Sequence, residues 1–101
     1  MIRELFGKRK TNVDFLRKSA NMVGKEIERW PYEKLIQPAE LISFSREIED
    51  VTVYFSLEVY EENKSGDVHV CIDVDADIPT FPYFRLPSYV FWKRKDESVY
   101  Y

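Results

Sequence analysis

The sequence predicts an α+β fold: one N-terminal amphipathic helix packed on a four- to five-stranded antiparallel β-meander. Three observations lead there. Apolar residues recur at Val13, Leu16, Ala20, Val23, Ile27 and Trp30, a 3-4-3-4-3 spacing that makes one continuous helical stripe. Two later runs, 51–60 and 68–77, alternate apolar and polar residues strictly, the period of a strand with one face inward. Between them stands Asn63-Lys64-Ser65-Gly66, which reads as a hairpin turn.

At 101 residues, 45% of them apolar and 16% aromatic, the chain fits a single α+β domain spanning 1–101. Residues 1–10 form a basic arm that is free to be disordered. The one cysteine, Cys71, rules out an internal disulfide and points to a reducing compartment. No apolar run approaches the ~18 residues of a membrane span, and the opening residues are too charged for a signal peptide. The expected location is the cytoplasm.

The helix starts with Thr11 or Asn12 as its cap and has Asp14 in its first turn, where the dipole favours an acid. It ends before Pro31, since the residue preceding proline is disfavoured in the α region. A connector interrupted by Pro38 covers 32–40. The strand 41–48 follows, with Ile42, Phe44, Arg46 and Ile48 on one parity. In the 51–60/68–77 hairpin a four-residue loop sets Glu62 opposite Asp67 and pairs Val59 with Val70, Leu57 with Ile72 and Phe55 with Val74. A two-residue Ser65-Gly66 turn would keep the faces but oppose Glu58 to Asp73, a repulsive pair, so the longer loop is preferred. Residues 78–87 hold three prolines and cannot continue a central strand. Strands over 88–95 and 99–101 close the sheet, joined by a turn that would be more comfortable with Gly in place of Glu97.

Charge is segregated along the chain. Residues 1–30 carry eight Lys/Arg against four Asp/Glu, 31–84 carry three against twelve, and 85–101 carry four against two. A basic helix therefore meets an acidic middle. The two either attract each other within the fold or leave the acidic part facing a basic partner.

Nothing in the chain amounts to a catalytic or cofactor motif. Asp73, Asp75 and Asp77 form an acidic row, but a calcium loop starting at Asp73 would need Gly and Glu where Ile78 and Phe84 stand. On a strand the three carboxylates instead line one face at roughly 6.6–6.8 Å intervals. Asp50, Glu62 and Lys64 resemble a nuclease arrangement only faintly, because Lys64 sits in the turn. His69 is the only histidine, so no Ser–His–Asp or Cys–His set assembles. Cys71 shares that face; nearby carboxylates disfavour its thiolate, and it reads as a half-buried structural residue. The three glycines are too far apart for a phosphate loop. Catalytic, metal and cofactor assignments are therefore none.

Lys8-Arg9-Lys10, Arg17-Lys18 and Lys93-Arg94-Lys95, with Phe15, Phe91 and Trp92 among them, raise single-stranded nucleic-acid binding through basic termini. The acidic middle opposes it, and Lys93–Lys95 read as solubility charges guarding a sheet edge. The C-terminal segment is the densest in rings, with eight of the chain's sixteen aromatics from Phe81 onward. Most of these should turn inward to close the core. Phe81, Tyr83, Phe84 and Arg85 remain as a rim of anchor-type residues.

A helix covers one face of such a sheet. The other presents Thr52, Tyr54, Ser56, Glu58, Tyr60, His69, Cys71 and the aspartates. The leading expectation is a non-catalytic, cytoplasmic protein-interaction module of the acidic inhibitor or immunity kind. It would grip a protein partner with a basic surface through Tyr54, Glu58, Tyr60, Asp73, Asp75, Asp77, Phe81, Tyr83, Phe84 and Arg85. The alternatives are a homodimeric small-ligand-binding domain with an aromatic-lined pocket, and the nucleic-acid reading. Neither a cofactor nor a membrane is expected.

Overall fold

The structure, a computed structural model, describes residues 2–36, 42–62, 66–78 and 86–101, with side chains over 12–36, 42–60, 66–78 and 86–101. It is an α+β fold: helix α1 (Ile2–Glu28) packs on a five-stranded antiparallel sheet, with a short helix α2 (Tyr32–Leu35) after it. The strands are β1 (Ile42–Ile48), β2 (Val51–Glu62), β3 (Asp67–Ala76), β4 (Ser88–Lys93) and β5 (Val99–Tyr100). They lie in sequence order across the sheet, so it is a simple meander.

α1 begins well before the cap expected at Thr11 or Asn12. The preceding residues are mostly Arg, Glu, Leu and Lys, which propagate a helix readily, and only Gly7 weakens it. At the other end Arg29 N–H donates to the Glu26 carbonyl at 3.1 Å and Trp30 N–H to Ile27 at 3.0 Å, tightening the last turn before Pro31. The stripe is buried: Leu16, Ala20, Val23 and Ile27 are each at most 1% exposed. The expected 32–40 connector opens instead with α2. Its first N–H, on Tyr32, donates to both Glu97 carboxylate oxygens at 3.1 and 3.0 Å.

The β2–β3 register has Glu62 opposite Asp67, Val59 opposite Val70, Leu57 opposite Ile72 and Phe55 opposite Val74. This is the four-residue-loop pairing, and it puts Cys71, not Asp73, across from Glu58. Gly66 closes that loop with φ of 79°, a left-handed conformation that glycine adopts without steric cost. The β1–β2 turn is two residues, Glu49 and Asp50, with φ of 51° and 64°. Positive φ at both central positions is the type I′ geometry, whose twist matches that of the strands. The β4–β5 turn places Glu97 at φ 74°, the position that asked for glycine. Glu97 is kept there by its carboxylate, which holds the α2 N-terminus and pairs with Lys93 Nζ at 3.3 Å.

Val53, Phe55, Leu57, Val70, Ile72, Val74 and Phe91 meet the α1 stripe in one core. α1 lies mainly over β3 and β4. Two contacts fix it there. Gly24 lets the Tyr89 ring approach the helix backbone closely. Lys93, 3% exposed, donates to the Glu28 carbonyl at 2.7 Å, capping the negative end of the helix dipole. Lys93 is thus not the edge-guarding surface charge the sequence suggested. It falls on the inward parity of β4, where its amine finds a carbonyl that would otherwise lack a partner.

Candidate functional site

One face of the sheet receives α1; among the described residues no helix covers the other. Parity decides which side chains it carries. Since Val53, Phe55, Leu57, Val70, Ile72, Val74 and Phe91 point to the core, their neighbours Tyr54, Ser56, Glu58, Tyr60, His69, Cys71, Asp73, Asp75, Val90 and Trp92 point away. Tyr54 is 47% exposed and Tyr60 48%. Tyr54, Glu58, Tyr60, Asp73, Asp75 and Asp77 therefore lie on or beside this open face, as read from the alternation. Phe81, Tyr83, Phe84 and Arg85 lie outside the described residues.

Register divides the open face into two parts. At one end, Tyr60 is opposite His69, His69 opposite Trp92 and Trp92 opposite Tyr100. The four rings form a row across β2 to β5. Tyr60 and His69 are tilted at 6.4 Å between centroids, His69 and Trp92 stack at 4.3 Å, and Trp92 and Tyr100 stack at 5.9 Å. Arg94 lies over the Tyr100 ring, its guanidinium carbon 4.4 Å from the centroid, a cation–π contact. The stacked faces of His69, Trp92 and Tyr100 turn to one another, so that part of the row offers ring edges to a partner.

Both terminal tyrosines are tied to acids. The Tyr60 hydroxyl donates to Glu58 and the Tyr100 hydroxyl to Asp67, the latter at 2.7 Å. Each carboxylate holds its phenol above the ordinary range by accepting that hydrogen bond, so both hydroxyls stay protonated. At the other end of the face, Ser56 is opposite Asp73 and Tyr54 opposite Asp75. A shallow recess of about 250 Å³ lies there, lined by Asp50, Val51, Thr52, Tyr54, Asp77 and Ile78. Carboxylates thus surround one exposed tyrosine at this end.

Cys71 Sγ lies 3.9 Å from His69 Nε2, and the stacked His69 ring has no carboxylate on its other nitrogen among the contacts described. Among the described residues no three His, Cys, Asp or Glu side chains gather to hold a metal ion, and no helix is long and apolar enough to cross a membrane.

Sequence reasoning left Tyr100 out of the candidate sites and named Trp92 only as a stacking ring for nucleic acid, not as part of the docking face. The expectation that most C-terminal rings turn inward is corrected for the described ones. Phe91 is buried and Tyr89 faces α1, whereas Trp92 and Tyr100 stand on the open face and Tyr101 is 72% exposed. The available signal was parity within 88–93: a core Phe91 forces Trp92 to the opposite side.

Comparison with protein-family models, with curated proteins and with solved structures finds no match.

Proposed function

We propose that the protein is a non-catalytic interaction module of the cytoplasm, of the acidic inhibitor or immunity kind, and that its open sheet face docks on a protein with a basic surface. One observation carries the reading: the face opposite α1 combines Glu58, Asp73 and Asp75 with Tyr54, Tyr60, Trp92 and Tyr100. Trp and Tyr are the residues that most often dominate binding energy, burying large rigid area at little entropic cost. The carboxylates beside them steer a cationic surface and set its orientation. The lone Cys71 agrees with a reducing compartment.

The nucleic-acid reading is the weaker one. A single-strand binder needs free ring faces for bases, and here the faces of His69 and Trp92 are turned to each other. Two of the basic residues it relied on are also occupied, Lys93 with the α1 carboxyl end and Arg17 with Asp14 at 2.7 Å.

The test is charge reversal at the acidic end of the face. Asp73→Lys/Asp75→Lys leaves the core untouched, because both side chains are exposed. Immobilised wild-type chain should retain a basic partner at low salt and lose much of it as ionic strength rises. The double variant should retain at least about tenfold less, the equivalent of about 1.4 kcal/mol. Equal retention by the two chains would sink the proposal.

A further inference from the structure

β1 is the outermost strand, paired with β2 on one edge; among the described residues nothing pairs with its other edge. The turn settles which backbone groups that edge presents. In a two-residue type I′ hairpin the closing pair, here Ile48 and Val51, exchanges its hydrogen bonds. Counting back along β1, Arg46, Phe44 and Ile42 turn their N–H and C=O toward β2. Ser43, Ser45 and Glu47 turn theirs outward, to the open edge.

We propose that this edge pairs with β1 of a second copy of the chain. The pairing is antiparallel about a two-fold axis through Ser45, and it joins two five-stranded sheets into one of about ten strands. In that register Ser45 is opposite the partner's Ser45, and Ser43 opposite the partner's Glu47. All three outward-facing residues of each strand then find partners, giving about six backbone hydrogen bonds. On the inner face Ile42 meets the partner's Ile48, and Phe44 meets the partner's Arg46. Arg46 already lies 5.8 Å from the Phe44 ring within the chain and is held in place by Glu26, so a guanidinium is poised beside that ring position.

Other registers are worse. A one-residue slip sets outward groups against inward ones. A two-residue slip one way opposes Arg46 to the partner's Arg46, a repulsive pair. A two-residue slip the other way leaves Ile48 unpaired and reduces the ladder to about four bonds. Residues 42–48 contain no proline and no lysine, two of the residues that block edge-to-edge pairing; the one inward-pointing charge, Arg46, is already neutralised by Glu26. The strand's inner side is only partly covered, because α1 sits over β3 and β4. Ile42 is 44% exposed and Met22 45%, and a recess of about 100 Å³ lined by Phe15, Met22 and Ile48 marks the gap between helix and edge. A second copy would cover this apolar margin. The pairing is independent of the docking face, which it leaves uncovered.

Sedimentation equilibrium from about 1 to 100 µM, the range that brackets a micromolar dimer, tests it. The expected mass approaches twice the 12.1 kDa of the chain at the upper end. Ser45→Pro removes one outward N–H, a change an edge strand tolerates. Ser45→Lys sets two like charges against each other at the axis. Each should weaken association at least about tenfold, and the lysine effect should shrink at high salt. Circular dichroism checks that both variants fold; if the proline variant does not, the lysine variant decides. Val90→Lys, on the open face of β4, should leave the dimer intact. A monomer mass throughout, a dimer that a folded Ser45 variant leaves unchanged, or one that Val90→Lys abolishes would overturn the proposal.

Discussion

Gly24 sits in the interior of α1, where Gly→Ala ordinarily stabilises a helix by about 1 kcal/mol. Here the sign should reverse. A Cβ on Gly24 would lie 2.2, 2.4 and 2.6 Å from Cδ1, Cγ and Cε1 of Tyr89, against the ~3.5–4.0 Å of a comfortable carbon contact. The ring would have to retreat by more than about 1 Å. Its hydroxyl donates to Glu28 Oε1 at 2.5 Å, and its backbone belongs to β4, which is paired on both sides. Retreat therefore strains the core, at about 1–3 kcal/mol for overpacking. It also loosens a hydrogen bond to a charged group worth about 1.5–3 kcal/mol. Set against the propensity gain, Gly24→Ala should destabilise by about 1–3 kcal/mol, and each kcal/mol lowers Tm by about 4–8 °C at this size. Urea unfolding should show a lower midpoint with unchanged slope. In a Tyr89→Ala background the same substitution should stabilise, by about the full propensity difference. Stabilisation in the wild-type chain, or the same effect in both backgrounds, would refute the close approach of ring and helix.

Glu49→Asn/Asp50→Gly supplies the residues a type I′ turn favours and should stabilise by about 1–2 kcal/mol; a lower thermal midpoint would show that the turn is of another type. Glu97→Ala keeps the strained φ and loses the acceptor for the Tyr32 N–H and for Lys93, so it should cost about 1–2 kcal/mol. Glu97→Gly should recover about 1 kcal/mol of that; the reverse ranking in chemical denaturation would contradict the role given to Glu97. Acid should destabilise the fold. The Arg46 hydrogen bond lowers Glu26 and the Ser98 hydrogen bonds lower Asp96. Burial pushes Glu28 up, but the Tyr101 and Tyr89 hydroxyls and Lys25 outweigh it and leave the group lowered. Carboxylates lowered in the folded state bind fewer protons there than when unfolded. Their contribution is present above the unfolded range near pH 4 and is lost as pH falls through the folded values. Urea midpoints should be level from about pH 7 to 5 and drop toward pH 3, and Glu28→Gln should flatten that drop. A midpoint that rises on acidification would be inconsistent with these pairings.

Much of the architecture was legible because it rests on short-range rules. Leu16, Ala20, Val23 and Ile27 must share a side of any helix they form, and Phe55 and Leu57 must share a side of any strand. The β2–β3 register followed from the same parity and from keeping Glu58 away from Asp73. What the sequence obscured depends on long-range placement. The row of Tyr60, His69, Trp92 and Tyr100 spans four strands and requires the β3–β4 register, which no local turn signal specifies across the proline-rich 78–87. Lys93 resembled its neighbours Arg94 and Lys95 by charge; only inward parity and the nearby end of α1 make it a cap. Gly24 carries no local signal of its role, which appears only where Tyr89 packs against it. Glu97 was the opposite case: its discomfort was visible in the turn chemistry, while the compensating contact, with Tyr32, lay 65 residues away.

The docking face is tested most directly by mapping the amide chemical-shift changes that a captured partner induces in the labelled chain. The changes should concentrate on the open side of β2 to β5, at Tyr54, Glu58, Tyr60, Asp73, Asp75, Val90, Trp92 and Tyr100, and leave the solvent side of α1 around Arg17 and Lys18 unaffected. A footprint centred on α1, with the open face unchanged, would contradict the claim.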